Sequence, residues 1–400
     1  MARTRLTALS ELLQRHLTLW LPLPLIDPLT WPQRHPELER WLLALTEAQL
    51  RALELDARAP DAPQPYAALS AQVAALCEVP ALPRIEQPAL ARRARRIKAR
   101  KWSQVQAFAG TALPLLPDGG LVDWCAGKGH LGRSLALVSG RGALCIERDA
   151  ALCEGGAALA GALPVSFLNG DVLALPLDEL LTPGRSAVAL HACGQLGDTL
   201  LREGGALDAI AFAPCCYHRQ PPGPHRPLSE LGRATALPVS VRQLRLATAE
   251  EVHATDDQRA LRHQEVAWRF GLDALVREAT GRVEHTSIPS MPRSQVRVSF
   301  SEFVTRAAER HGLTLPERWD PAAAEQVGWR RAHRKRALDL MRSLFRPALE
   351  LWLFLDRVVY LEERGWEVRW GSFCERAVSA RNLMMIGARP GAGVSEPPAG

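Results

Sequence analysis

The sequence predicts an α/β fold built on a doubly wound sheet of seven strands, with a helical N-terminal region and a helical insertion. Short apolar runs of strand length alternate with helical stretches from residue 120 onwards, as in parallel strands joined by crossover helices. Because such crossovers are almost always right-handed, helices are expected on both faces of the sheet. A helix and two strand-like runs near the end of the chain complete the pattern.

The first 97 residues are predicted to form a helical accessory region. Leucines recur at helical spacing from Leu9 to Leu17, and the prolines between Pro60 and Pro65 indicate a linker. No residue pattern in this region points to a chemical reaction.

Residues 98–220 are predicted to form the core of the sheet, with five buried strands. The strands are Leu121–Trp124, Ala143–Ile146, Val165–Leu168, Ala187–Leu190 and Ala209–Ala213. Continuous apolar runs of this length are typical of parallel strands that are covered on both faces. Helices are predicted between them over Leu131–Val138 and Ala150–Ala160.

The rest of the chain falls into three segments. Residues 221–345 break the alternation and are predicted as a mostly helical insertion, with a long polar helix over roughly Ala247–Ala279. Residues 346–389 supply the last helix, Arg346–Glu363, and the strands Trp366–Phe373 and Leu383–Ala388, the second of them antiparallel. The Pro/Gly-rich tail, residues 390–400, is predicted to be disordered.

Composition excludes several classes of protein. With 47% hydrophobic and 23% charged residues, the chain is an ordinary globular protein rather than a disordered one. No apolar run reaches the length of a membrane helix and no signal peptide is visible, so a cytoplasmic protein without a membrane partner is expected. Eight cysteines are too few for a disulfide scaffold, and the net charge of +6 favours an acidic partner such as nucleic acid.

A glycine-containing loop follows the first predicted strand. Asp123 ends that strand, and Gly127 and Gly129 precede the next helix, where glycine allows the backbone to approach a ligand closely. Glu147 ends the second strand and Asp171 follows the third. Carboxylates at these positions can accept hydrogen bonds from ribose hydroxyls and from an adenine amino group.

The three acids favour an adenosyl ligand that carries no phosphates. Gly127, Gly129 and Gly132 also satisfy the G-x-G-x-x-G spacing of dinucleotide sites. However, Asp123 would repel a pyrophosphate and attract the ammonium group of S-adenosylmethionine (SAM). SAM is therefore the predicted cofactor, with a tight turn beside an unrelated acid as the alternative.

The chain resembles the class I SAM-dependent methyltransferases, which have a Rossmann-like sheet. Within that class it is similar to the methyltransferase-domain family that includes the tRNA position-4 2′-O-methyltransferases and methyltransferase-like proteins. The resemblance covers roughly residues 98–219 with the terminal helix and strand pair, and rests on Asp123–Gly132, His191–Gly194 with Asp198, and Pro214–His218. Cys125 stands where such enzymes usually carry the first loop glycine.

The strand-end pattern and the resemblance together define the predicted site. The cofactor-binding residues are expected to be Asp123, Cys125, Gly127, Gly129, Glu147, Asp171, His191 and Cys193. Lys101, Trp102 and Tyr217 are expected to bind substrate, and His218 and Cys215 are the candidate catalytic residues.

Several roles remain open for the cysteine and histidine side chains that follow strands four and five. They can line the pocket or belong to the core, His218 can act as a general base, or Cys193 or Cys215 can attack a pyrimidine ring. A metal site formed by Cys193, Cys215, Cys216 and His218 is a further alternative. Adjacent cysteines are awkward for one tetrahedral ion and no C-x-x-C motif occurs, so no metal is expected.

Two basic segments, Arg92–Lys101 and Arg330–Arg336, flank the predicted core. The first can contact a phosphate backbone, with Trp102 stacking on a base, or it can be a solvated linker. The predicted function is methyl transfer from SAM to RNA, either tRNA or rRNA. A protein or small-molecule acceptor is one alternative, and a non-catalytic module that binds SAM and RNA is another. The oligomeric state is not predicted.

Overall fold

A computed structural model describes residues 1–92, 97–249, 255–292 and 296–391. The chain divides into two units. Unit 1 comprises Met1–Gln14, Leu76–Thr248 and Pro347–Gly400, and unit 2 comprises Arg15–Ala75 and Ala249–Arg346.

The strands all belong to unit 1. They are β1 Gly120–Trp124, β2 Ala143–Glu147, β3 Val165–Asn169, β4 Arg185–Leu190, β5 Ala209–Ala213, β6 Glu367–Ser372 and β7 Leu383–Ala388. They form a seven-stranded sheet in the order β3-β2-β1-β4-β5-β7-β6. Strands β1 to β5 are parallel, and β7 runs antiparallel to both β5 and β6. This confirms the predicted Rossmann-like α/β fold and the antiparallel last strand.

The α-helices of the described residues are α1 Ala2–Arg15, α2 Leu17–Trp20, α3 Trp31–Arg34, α4 Pro36–Leu43, α5 Glu47–Leu55, α6 Tyr66–Leu76, α7 Ala99–Ala112, α8 His130–Ser139, α9 Ala150–Ala160, α10 Gln195–Glu203, α11 Glu230–Ala234, α12 Asp256–Thr280, α13 Phe300–His311, α14 Pro321–Ser343 and α15 Arg346–Glu362. None of the helices in the described part of the chain is both long enough and apolar enough to cross a membrane.

Local sequence signals set the elements around the site. Helix α8 lies between Gly129 and Gly140, whose φ angles of 61° and 69° are left-handed values that glycine adopts at little cost. Helix α9 is capped by Asp149, the residue before it, whose side chain accepts a hydrogen bond from the Leu152 amide. All five residues of β5 are buried, as expected for a central parallel strand.

Helices α7 and α15 pack against the sheet of unit 1. Helix α7 contributes Val105 and Phe108 to a core shared with Met384 of β7. Helix α15 is buried along almost its whole length, and its Arg357 pairs with Asp198 at 2.7 Å while only 1% exposed. The last helix therefore reaches the residues that follow β4.

Unit 2 differs from the predicted domain boundaries. Residues 15–75 group with the insertion rather than with a separate region 1–97, while residues 1–14 and 76–92 belong to unit 1. Helices α2, α4 and α5 pack on α14. Ion pairs reinforce this packing, with Arg334 at 3.2 Å from Glu39 and Arg336 at 2.8 Å from Glu54. Partners so distant in sequence leave no local signal.

Two further predictions concern segments that lie partly outside the described residues. The polar helix predicted over 247–279 begins later, at Asp256, after the capping residue Thr255, and residues 250–254 lie outside the described part. Most of the tail predicted to be disordered, residues 392–400, also lies outside it.

Candidate active site

The loop between β1 and α8 is held against the end of β2. The Gly127 amide donates to Oε2 of Glu147 at 2.8 Å, and the Asp149 amide donates to Oε1 at 3.1 Å. Gly127 has a φ of 58°, and no described atom lies within 4 Å of the position that a Cβ would take there. Hydrogen bonds to Glu147 thus hold the loop on one side, while the loop is open at Gly127 on the other.

The same loop leaves no room towards the sheet. A Cβ on Gly129 would lie 2.6 Å from Cζ of Phe167 and 3.0 Å from Sγ of Cys145. Gly132 is equally restricted, because its Cβ would meet Cys145 and Asp123. These glycines let the loop pack directly on β2 and β3.

Asp123, at the end of β1, is only 2% exposed. Its Oδ2 accepts a hydrogen bond from the Gly132 amide at 2.7 Å. Burial raises the pKa of this carboxyl to about 7, although the Gly132 amide and the Lys101 ammonium act in the opposite direction. Asp123 therefore changes charge near neutral pH.

The carboxylates of Asp123, Glu147 and Asp171 all lie close enough to Cys125 to act on its thiol. Burial, followed by the negative charges of Glu147, Asp123 and also Asp171, raises the pKa of the Cys125 thiol to about 12. Asp171 starts the turn after β3 by accepting from the Leu173 amide at 3.0 Å. Cys125 itself has a φ of 58°, a strained value for a residue other than glycine that is common at functional sites.

His191 follows β4 with a left-handed φ of 72°. Its amide donates to the Ala213 carbonyl at 3.0 Å, and its Nε2 lies 3.0 Å from Oε1 of Gln104. Because the Gln104 amide nitrogen donates to the Val378 carbonyl, Oε1 is the acceptor and His191 donates from Nε2. Burial, aided by the Lys101 charge, lowers the pKa of His191 to about 4, so the ring is neutral at pH 7.

Cys193, Cys215 and Cys216, here called the thiol cluster, converge at the ends of β4 and β5. Their sulfur atoms all lie within 4.8 Å of one another, and the sulfurs of Cys193 and Cys215 are 2.7 Å apart. Cys193 and Cys215 also direct their thiols at the His191 carbonyl, at 3.2 Å and 3.7 Å. The three sulfurs therefore converge although Cys215 and Cys216 are adjacent in the sequence, an arrangement expected to be awkward for one tetrahedral ion.

The two candidate catalytic residues differ in their surroundings. Cys215 is 6% exposed, and contact with the Cys193 and Cys216 thiols, together with burial, raises its pKa, which disfavours a nucleophilic thiolate. His218 is half-buried, and burial lowers its pKa, so it is neutral at pH 7. Its Nδ1 lies 3.4 Å from Oγ1 of Thr248.

Of the predicted substrate-binding residues, only Lys101 lies among the strand-end groups. Burial lowers the pKa of its ammonium, and the nearby Asp123, Cys215 and Cys193 oppose this shift. Trp102 is 6% exposed and belongs to the hydrophobic core. Tyr217 is 1% exposed and packs under the Arg357 guanidinium, 5.0 Å from its ring centre. In this structure both rings are therefore interior residues.

Sequence reasoning missed residues that shape the site. Gly194 has a φ of 55°, and a Cβ there would lie 2.0 Å from the Arg219 carbonyl oxygen. The Gln195 amide donates to that same oxygen at 2.8 Å. The buried Arg357 could have been found, because a charged residue inside the apolar run of the last helix is a visible anomaly.

The structure describes only part of the first basic segment, Arg92–Lys101, and all of the second, Arg330–Arg336. Arg93, Arg95 and Arg96 lie outside the described residues, while Lys98 and Arg100 are exposed. The second segment lies in α14 of unit 2, where its charges pair with acids of the same unit. These pairs include Arg331 with Asp273 at 2.7 Å and Arg336 with Glu47 at 2.6 Å. Paired charges of this kind do not support the predicted RNA contact.

Comparison with protein families supports the architecture. A family model described as a methyltransferase domain matches residues 100–220. The match runs from α7 through β5 and includes the glycine loop, the strand-end acids and the thiol cluster. The sheet around it, with its antiparallel β7, is the seven-stranded Rossmann-like sheet that the sequence predicts. Residues 100–220 are therefore similar to a methyltransferase domain, and the sheet that contains them has the Rossmann-like fold of such domains, which typically use SAM as the methyl donor.

Proposed function

We propose that the protein transfers a methyl group from SAM, bound at the ends of β1, β2 and β3. The observation that carries this proposal is the meeting of Asp123, Glu147 and Asp171 around Cys125, beside the open face of Gly127. Three carboxylates beside a loop that is open at Gly127 suit a ligand that has an ammonium group and ribose hydroxyls but no phosphate.

The residues present fit such a ligand. Each oxygen of Glu147 accepts one backbone hydrogen bond and has a second lone pair left for a ribose hydroxyl. Asp171 uses only Oδ1 in its turn, so Oδ2 can accept from the adenine amino group. Asp123 faces an ammonium group as an anion above its pKa of about 7. When bound, SAM supplies an electrophilic methyl group, and the protein contributes by holding donor and acceptor in line.

His218 is proposed as the group that accepts the proton of the methyl acceptor. The Thr248 hydroxyl donates to the Arg245 carbonyl at 3.2 Å, so its oxygen is the acceptor for Nδ1–H of His218. This arrangement leaves the lone pair on Nε2. Since the ring is neutral at pH 7, that nitrogen can take up a proton.

RNA is the proposed acceptor, supported by positive charge beside His191 and His218. Arg100 and Lys101 lie close enough to His191 to lower its pKa, and Arg219 and Arg245 act in the same way on His218. Three of these side chains, those of Arg100, Arg219 and Arg245, are exposed. We call the four residues the cation rim, and such a rim attracts a polyanion.

Transfer of labelled methyl groups from SAM to total RNA and to total protein tests the proposal. We expect label in nuclease-sensitive material. His218→Gln should lower the rate by about 10²-fold or more without changing SAM affinity. Label in protease-sensitive material would move the acceptor to protein. SAM binding without any transfer would indicate a non-catalytic module instead.

The cation rim has its own test in the salt dependence of RNA binding. Each lost contact to a single-strand phosphate should flatten log K against log salt by about 0.7. Arg219→Ala and Arg245→Ala should each show this change. Arg202→Ala is the matched control, because Arg202 is exposed in the last turn of α10, away from the strand ends. Equal slopes in all proteins would remove the rim as the RNA-binding surface.

A further inference from the structure

We propose that the thiol cluster is a binding site for a thiophilic divalent cation, with Zn²⁺ as the best-fitting ion. In the described part of the chain, Cys193, Cys215 and Cys216 are the one group of three metal-ligating side chains whose ligand atoms converge. None of the three acids of the proposed SAM site belongs to this cluster, and the inference does not depend on methyl transfer.

The sulfur positions are close to those that a tetrahedral ion requires. With a Zn–S bond of about 2.3 Å, two sulfurs at the corners of a tetrahedron are roughly 3.8 Å apart. No pair in the cluster is farther apart than 4.8 Å, and the Cys193–Cys215 pair is 2.7 Å apart. Side-chain movements on the order of 1 Å would therefore bring all three sulfurs to bonding distance.

The backbone fixes the three cysteines before any ion binds. Strands β4 and β5 are in register up to the pair Leu190 and Ala213, and the His191 amide extends the ladder by bonding the Ala213 carbonyl. Beyond the cysteines, the Gln195 amide bonds the Arg219 carbonyl at 2.8 Å. The two loops are thus joined on both sides of the cluster, which lowers the entropic cost of ligation.

Adjacent cysteines can serve one ion here because the chain turns sharply after β5. The Tyr217 amide bonds the Cys215 carbonyl at 3.2 Å, and the Arg219 amide bonds the Cys216 carbonyl at 3.0 Å. These turns bring the Cys216 side chain round to the same side as Cys215, within reach of Cys193.

Positive side chains near the cluster can balance the charge of a bound ion with its three thiolate ligands. Three thiolates and one Zn²⁺ carry a net charge of −1, and Lys101 and Arg219 lie close enough to interact with the thiols. As each sulfur–metal bond forms, its thiol releases a proton to solvent, and no electron is transferred.

The cluster supplies three ligands, which leaves the fourth position of a tetrahedral ion for water or a substrate atom. Cys193 and Cys216 are half-buried, so the ion can be reached from solvent. An exchangeable position of this kind is typical of reactive rather than purely structural zinc sites.

Elemental analysis of protein purified under reducing conditions without chelator tests the site. We expect one zinc per chain, lost in Cys193→Ser and in Cys216→Ser and kept in the matched control Cys374→Ser. Cys374 is also a half-buried free cysteine but lies outside the cluster. Replacement by Co²⁺ should give a thiolate-to-cobalt charge-transfer band in the wild type and the control only.

Titration of metal-free wild-type protein with Zn²⁺ covers the case in which the serine variants do not fold. Binding with release of protons supports the site. The inference is overturned if metal-free wild type takes up no Zn²⁺, or if folded serine variants retain the metal. It is equally overturned if the purified protein holds a Cys193–Cys215 disulfide and, once reduced, still binds no metal. Loss of SAM binding would bear on the proposed function and not on this site.

Discussion

SAM affinity should rise with pH because of Asp123. The pKa of this buried carboxyl lies near 7, above the ordinary 3.8, so the folded protein holds it neutral in mildly acidic solution. A neutral carboxyl attracts the SAM ammonium group weakly, whereas the ionised form attracts it strongly. Removing the ionisation with Asp123→Asn should therefore remove the pH dependence.

The size of the effect follows from the fraction of ionised Asp123. With a pKa of about 7, this fraction grows from roughly 3% at pH 5.5 to about half at pH 7, which predicts about 15-fold tighter SAM binding. The SAM amino group stays mostly protonated over this range. In the absence of SAM, the free energy of unfolding falls as the pH rises. The carboxyl of the unfolded chain ionises near pH 3.8 while the buried one stays protonated up to about pH 7, so the free energy of unfolding falls by about 3 kcal/mol between pH 4 and pH 7.

Calorimetric titration with SAM at pH 5.5 and pH 7 measures the effect. Asp123→Asn keeps an oxygen that can accept from the Gly132 amide, so the loop should stay in place. The exposed Asp178→Asn is the matched control and should keep the wild-type pH dependence. Equal SAM affinity of the wild type at both pH values would refute the assignment of Asp123 to the ammonium group.

Three further substitutions test other parts of the structure. Glu147→Gln should weaken SAM binding by about 1.5–3 kcal/mol, or roughly 10- to 150-fold, in calorimetry, whereas the exposed Glu154→Gln should not. Arg357→Ala leaves a buried aspartate unpaired, so urea unfolding should show a loss of about 3–5 kcal/mol, and a near-neutral result would contradict the pairing. Gly194→Ala should cost at least about 1–3 kcal/mol in the same measurement because of its positive φ, while Gly205→Ala, with open space around it, should be close to neutral.

The sequence was sufficient to predict the sheet because parallel strands leave a strong local signal. The strand predicted over Ala209–Ala213 and the helix predicted over Ala150–Ala160 have those bounds in the structure. Continuous apolar runs between glycines and acids are rarely compatible with another element. The glycine loop and the acids at the strand ends followed from the same pattern.

What the sequence could not predict depends on contacts between distant residues. Trp102 and Tyr217 flank residues of the site, yet their side chains are interior, and local sequence does not show which way a ring points. The convergence of the thiol cluster required the register of β4 and β5 and the turn after β5. The grouping of residues 15–75 with the insertion depends on packing and ion pairs between segments far apart in the chain.

A crystal structure of the protein with S-adenosylhomocysteine, the demethylated product of SAM, tests the central claim most directly. We expect the ribose hydroxyls on the Glu147 carboxylate, the adenine amino group near Asp171 and the amino-acid portion towards Asp123. Density for the ligand elsewhere on the protein, with Glu147 still bonded only to the Gly127 and Asp149 amides, would contradict the assignment of the strand ends as the SAM site.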